Sequence, residues 1–182
     1  MSVLSSGKST TCTTGLCAGG ATTLYLANAN EVSSVTKNAS GTATAITMTS
    51  TAVNFYQFEF RDFSANFTET VTVDQDTLSV STEQQFSGIW TCRNQTDRNL
   101  IMDMANNGCG MVAVHVENTG KYWIWGDVEV GGKKLSAKLS TNEGQSGTAI
   151  TDANQETITL ICRTTAKAAE VHDGATVMAA LI

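Results

Sequence analysis

Residues 110–127, GMVAVHVENTGKYWIWGD, decide the reading of this chain. Val112, Val114 and Val116 fall on one face of an extended segment, with Ala113, His115 and Glu117 on the other. After Asn118-Thr119-Gly120 the chain returns with Tyr122 and Ile124 alternating against Trp123 and Trp125. Alternation of period two, closed by an Asn/Gly-containing turn, predicts a β-hairpin. Two of the three tryptophans lie here, so this hairpin is expected to anchor the core.

Upstream, residues 21–28 predict a first strand, with Leu24 and Leu26 opposite Tyr25. Residues 31–50, rich in Thr, Ser and Ala, predict a weak strand pair turning near Asn38–Gly41, its register poorly specified because neither face is strongly apolar. Residues 55–63, FYQFEFRDF, are the sharpest strand, with Tyr56, Phe58 and Phe60 facing away from Gln57, Glu59 and Arg61. A second hairpin follows. Phe67, Val71 and Val73 share one face, Asp74-Gln75-Asp76 makes the turn, and Leu78, Val80 and Phe86 are expected to face inward on the return. The polar distal part of this hairpin extends past the core. One segment breaks the β pattern. A helix is predicted at about 97–107, capped by Thr96 and stopped by Asn107-Gly108, with Leu100, Ile101, Met104 and Ala105 as its apolar face.

Downstream of the central hairpin, residues 129–134 read as a turn or loop and 135–147 as a weak strand and loop. Residues 157–163 read as a strand with Ile158, Leu160 and Cys162 on one face. The expected fold is therefore mainly β: an antiparallel β-sandwich or barrel with one short α-helix and extended terminal arms. Its parts are an N-terminal arm at 1–20, a single β-rich domain at 21–165 and a C-terminal arm at 166–182 that ends in the apolar VMAALI.

Of the 182 residues, 41% are hydrophobic, enough for a substantial core, while only 15% are charged. A low-charge, Thr-rich surface without proline suits long strand ladders packed on neighbours. A net charge of −6 argues against gripping nucleic acid by its phosphates. No stretch approaches the length of a membrane span, the opening MSVLSSGKSTTCTTGL lacks the apolar core of a signal peptide, and VMAALI is too short for an anchor. A soluble, cytoplasmically made protein is expected. Cys12, Cys17, Cys92, Cys109 and Cys162 are odd in number and scattered, signalling neither a disulfide framework nor a zinc site.

Catalytic, cofactor-binding and metal-ligating residues are all read as absent, and the chain is not expected to be an enzyme. His115 and Glu117 share a strand face that could bind a metal or share a proton, but a cross-strand hydrogen bond is the simpler role. His172 is expected to be solvated in a mobile tail. Ser5–Thr10 lacks the first glycine and flanking elements of a phosphate loop, and residues 15–20 lack those of a dinucleotide fingerprint. The carboxylate pairs Asp74/Asp76, Glu59/Asp62 and Asp127/Glu129 are explained by turns and solvation. Lys133, Lys134 and Lys138 are the only basic cluster, open to DNA or an acidic neighbour but expected to be solvated.

Four blocks carry a resemblance. They are LYLANANEVSSVT at 24–36, FYQFEFRDFSANFTETVTVDQDT at 55–77, GKYWIWGD at 120–127 and SGTAITDANQETITLICR at 146–163. With the order of strands, hairpins and single helix, the span 20–165 resembles the tail tube proteins of long-tailed bacteriophages. The resemblance implies a virion structural protein, assembled in the bacterial host cytoplasm. Its subunits would join sheets into hexameric stacked rings, meet other tail or head–tail proteins, and form a channel through which DNA passes without specific binding. No cofactor or membrane is implied. The acidic net charge independently suits such a channel. Hairpin 66–87 is shorter than the stacking loop a tube implies. Two alternatives remain: a capsid decoration or head–tail connector protein, and a carbohydrate-binding β-sandwich using Tyr122, Trp123 and Trp125 as a stacking platform.

Overall fold

The computed structural model describes residues 19–60, 63–149 and 151–182. The arm expected at 1–20 lies outside the described residues apart from Gly19 and Gly20. The chain is mainly β, with antiparallel sheets, two helices and no closed barrel among the described residues.

The predicted central hairpin is β7 (Met111–Glu117) and β8 (Tyr122–Trp125), with His115 opposite Trp123 and Val114 opposite Ile124. On the other side β7 pairs with β1 (Ala21–Asn28), and β1 pairs with β4 (Tyr56–Glu59). Strand β13 (Ala169–Glu170) closes the opposite edge, so the first sheet runs β13-β8-β7-β1-β4. The second sheet is β11 (Lys138–Gln145), β12 (Gln155–Thr164), β6 (Val80–Thr91) and β5 (Asn66–Val73), in that order. Ile158, Leu160 and Cys162 are buried along β12, as their alternation predicts.

Met111 to Val116 of β7 are all buried, because the first sheet has a layer on each face. Toward the second sheet, Leu24, Leu26, Ala113 and Trp125 pack on Phe86, Leu160 and Cys162. On the outer face, Tyr25, Val112, Val114 and Ile124 pack on Val32, Ala43, Ile46, Val171 and Met178. Each large apolar side chain so buried contributes roughly 1.5–3 kcal/mol.

The outer layer is where the sequence reading needs correction. The weak pair at 31–50 is the hairpin β2 (Val32–Lys37) and β3 (Ala43–Met48), turned by Asn38, whose Oδ1 accepts from the Ser40 and Thr42 amides at 2.9 and 3.0 Å. Its register shifts between Val32 and Ser34 and again between Thr36 and Lys37. Such bulges add a residue to one strand, and Val32 with Val35, and Ala43 with Ile46, reach the same core three positions apart. The segment from 166 is not an extended arm. Strand β13 pairs with β8, and a second helix, α2 (Gly174–Ala179), buries Met178. The Val171 amide donates to the Tyr122 carbonyl at 2.8 Å, His172 to Ala43 at 2.8 Å, and Phe55 to Leu181 at 2.7 Å. His172 is exposed but its backbone is fixed.

Helix α1 spans Gln95–Asn106, beginning earlier than predicted. Asn94 caps it instead of Thr96: its Oδ1 accepts from the Asp97 amide at 2.8 Å while its Nδ2 donates to Asp97 Oδ2 at 2.6 Å. Asparagine is the stronger N-cap, and the acidic residue three positions on completes a reciprocal pair. Ile101 and Met104 are buried, whereas Ala105 faces solvent. The loop expected at 129–134 is a hairpin, β9 (Val128–Val130) and β10 (Lys133–Leu135), turned by Gly131-Gly132 with φ of 59° and 75°. Both glycines take the left-handed region that a two-residue hairpin turn demands.

Gly88 of β6 lies flat under the Phe60 ring, and an added Cβ would overlap that ring. Gly88→Ala is expected to lose about 1–3 kcal/mol by overpacking. Gly108→Ala, at a position open to space, should be near neutral. Urea unfolding of both variants checks the pair.

Candidate functional site

The feature with the clearest consequence outside the core is the β5–β6 hairpin. Antiparallel register places Phe67, Glu69, Val71 and Val73 on the same face as Phe86, Gln84, Thr82 and Val80. Phe86 is buried and Phe67 packs against the inter-sheet core. Further out the same face leaves the sandwich behind. Val71, Val73 and Val80 are 42%, 45% and 45% exposed, and Leu78 in the turn is 74% exposed. Leu78 and Val80, expected to face inward, therefore lie beyond the core. The face was read correctly for Val80, but the sheet opposite it ends first.

The hairpin tip is well defined. Asp74 Oδ1 accepts from the amides of Asp76 at 2.9 Å and Thr77 at 2.8 Å. Hydrogen bonds from Thr77 and Asp76 hold the Asp74 carboxyl below the usual range. At the base, Glu69 Oε1 accepts from Gln84 Nε2 at 3.0 Å and from the Ala168 amide at 2.6 Å, tying the hairpin to the segment after β12. The pair is thus a braced projection. The outer edges of β5 and β11 pair with no strand among the described residues, and each edge strand is eight residues long.

The other candidates are placed as follows. His115 is fully buried in the sandwich, its ring 4.1 Å from that of Phe67, and neither nitrogen has a hydrogen-bond partner among the described residues. The expected cross-strand hydrogen bond is not made, because the ring points between the sheets among aromatic side chains. Burial pushes its pKa down to about 3. Asp127 forms an ion pair with Lys37 at 2.7 Å, and Lys134 donates from Nζ to the carbonyls of Ala29 (2.9 Å) and Val32. These contacts fasten the β2–β3 hairpin, so Asp127 and Lys134 are not the solvated groups expected. Cys162 donates to the Leu135 carbonyl at 3.0 Å, and burial pushes its thiol up to about 12. Cys92 and Cys109 are exposed and form no disulfide among the described residues. Glu156, which sequence reading missed, is buried; hydrogen bonds from Arg93 at 2.6 Å and Asn142 at 3.1 Å outweigh its desolvation and keep its pKa low. Ser5–Thr10, Cys12, Cys17, Arg61 and Asp62 lie outside the described residues.

Trp125 is 1% exposed, and Tyr122 points to the opposite face of the sheet, stacked on Tyr25 at 6.5 Å. They make no exposed platform with Trp123. No helix among the described residues is long and apolar enough to cross a membrane. No group of three His, Cys, Asp or Glu side chains that could hold a metal ion occurs among them. Searches against family models, curated proteins and solved structures found no match for this chain.

The His115 environment gives a pH dependence with a defined sign. Above pH 6.5 the imidazole is neutral folded and unfolded, and contributes nothing to pH dependence. As pH falls below 6.5 the unfolded chain takes up a proton that the folded chain refuses, so stability falls by roughly 1.4 kcal/mol per pH unit. Between pH 6.5 and 5, above the carboxylate range, the loss is about 2 kcal/mol. His115→Leu is expected to flatten this window without lowering stability at pH 7, because it removes two unsatisfied polar atoms. Urea titrations at pH 5, 6 and 7 measure it.

Proposed function

We propose that this protein is a non-catalytic virion structural subunit of the tail tube type, self-assembling into stacked rings around a DNA-conducting channel. The observation that supports it most is the unclosed second sheet, whose inner face runs out into the Val71, Val73, Leu78 and Val80 projection. A hairpin with an exposed apolar face, beside two edges that are unpaired among the described residues, is an aggregation hazard in a free monomer. In an assembly the same features are joining surfaces.

Two contacts follow from this geometry. The outer edges of β5 and β11 lie at opposite sides of one sheet. Pairing β5 of one copy with β11 of the next would continue the sheet around a ring. The projecting hairpin leaves the body at the β5–β6 turn, whereas α1 follows the other end of β6. Copies stacked with unlike ends in contact would place this hairpin against the neighbouring ring. The net charge of −6 suits a channel wall that does not hold phosphate. The chain would then act in the virion, after assembly in the host cytoplasm.

Negative-stain electron microscopy and sedimentation velocity across a concentration series test this reading. Rings or tubes are expected from the wild-type chain. Leu78→Asp with Val80→Asp should abolish stacking at the same concentrations while leaving the urea midpoint unchanged, because both side chains are outside the core. A wild-type chain that stays monomeric throughout overturns the proposal.

A further inference from the structure

The tip of the projecting hairpin combines an exposed apolar side chain with a surplus of negative charge. Leu78 is 74% exposed. Asp74 and Asp76 precede it, in a stretch, 64–82, that contains no lysine or arginine. Asp74 Oδ1 is committed to the turn amides. The Asp76 side chain is exposed and forms no ion pair among the described residues. The twelve residues of β6 separate this tip from Arg93, which follows the other end of the strand. At about 3.3 Å per residue that distance is roughly 36 Å. The tip can therefore meet the α1 end of the sandwich only in another copy.

At that end α1 sorts its charges by flank, because positions three and four apart share a helix face. Gln95, Arg98, Asn99 and Met102 line a groove of about 300 Å³ shared with β11 and β12. Asp97 and Asp103 lie on the other flank, in grooves that open toward β4. Arg93 joins the first groove from the segment before the helix, its Nε donating to buried Glu156 at 2.6 Å, so this guanidinium balances that carboxylate. Arg98 is exposed and forms no ion pair among the described residues, which makes it the surplus positive charge of the groove. One turn further on, Met102 is 58% exposed.

We propose that this groove receives the hairpin tip of a second copy of the chain, with Leu78 against Met102 and Asp76 against Arg98. The inference rests on the stacking reading and names the receiving surface. Each partner offers an exposed apolar side chain beside a charge, and the two charges are opposite in sign. The other flank of α1 is disfavoured, because Asp97 and Asp103 would bring like charges up to Asp74 and Asp76. Tip and groove are different surfaces at opposite ends of β6, so the contact is heterologous and repeats from copy to copy.

Charge reversal in the full chain tests the pairing, read by sedimentation velocity and negative-stain electron microscopy. Arg98→Glu and Asp76→Lys, both at exposed positions, should each raise the concentration needed for stacking at least about tenfold while leaving the urea midpoint unchanged. Lys133→Glu changes the net charge as Arg98→Glu does but lies on the β9–β10 hairpin, and it should stack like the wild type. Arg98→Glu combined with Asp76→Lys in one chain should restore stacking, as should mixing the two single variants, because every tip then faces a groove of opposite charge. A wild-type chain that stacks, with both reversals stacking equally well, overturns this pairing and leaves the stacking reading in place. Loss of stacking in the single variants without rescue in the double variant does the same. A wild-type chain that stays monomeric, or stops at single rings, overturns the stacking reading and this pairing with it.

Discussion

Burial of both faces of the sheet built on β7 is the constraint from which the other elements follow. A strand in which Met111 to Val116 are all buried needs a layer on each side. The inner layer is a second sheet of four long strands. The outer layer is assembled from smaller pieces: the β2–β3 hairpin, Phe55, Val171 and α2. None of these would be stable alone, since a two-stranded hairpin or a six-residue helix is marginal in water. They persist because Tyr25, Val112, Val114 and Ile124 give them an apolar floor. The Lys37–Asp127 ion pair and the Lys134 ammonium on two backbone carbonyls then fix the hairpin's position.

This arrangement explains how much of the fold was legible in the sequence. The strands β1, β7, β8 and β12 read correctly from period two, and so did the existence of α1, whereas the strand read at 55–63 is only Tyr56–Glu59 among the described residues, with Tyr56 exposed. The outer layer did not read in this way. Bulges in β2–β3 replace a spacing of two by a spacing of three, so Val32 and Val35, or Ala43 and Ile46, look like scattered residues on a polar strand. Residues 169–182 are fixed by backbone hydrogen bonds to Tyr122, Ala43 and Phe55, far away in the sequence. Gly174 shows this dependence: it sits against the Tyr122 ring where a Cβ would overlap. No local pattern announces such a contact.

The surface features failed for a different reason. Periodicity reports which face a side chain takes but not whether anything lies opposite it. Val80 shares the face of Phe86, yet one is 45% exposed and the other fully buried, because the covering sheet stops between them. The cluster of Phe58, Phe60 and Trp90 is similar. Phe58 and Phe60 were assigned to one face, but Trp90 meets them only because β6 and β4 belong to facing sheets. Conversely, Trp125, conspicuous in sequence, is buried through its register with Ala113, while Trp123, opposite His115, is half-buried.

The two sheets treat their edges differently, and this contrast within one molecule bears on what the surface is for. Sheets in free monomers blunt their edges with short strands, charges or proline. The first sheet follows that rule: its edge strands β4 and β13 have four and two residues. The second ends in β5 and β11, eight residues each, with one charged residue in β5 and two in β11, beside a hairpin that leaves Val71, Val73, Leu78 and Val80 unburied. A general tolerance for open edges would leave both sheets alike. Selective exposure of one sheet instead argues for partners placed along it. Since the projecting hairpin and α1 mark opposite ends of β6, a contact that joins unlike ends would not close on two copies but would propagate, the symmetry that a stack requires.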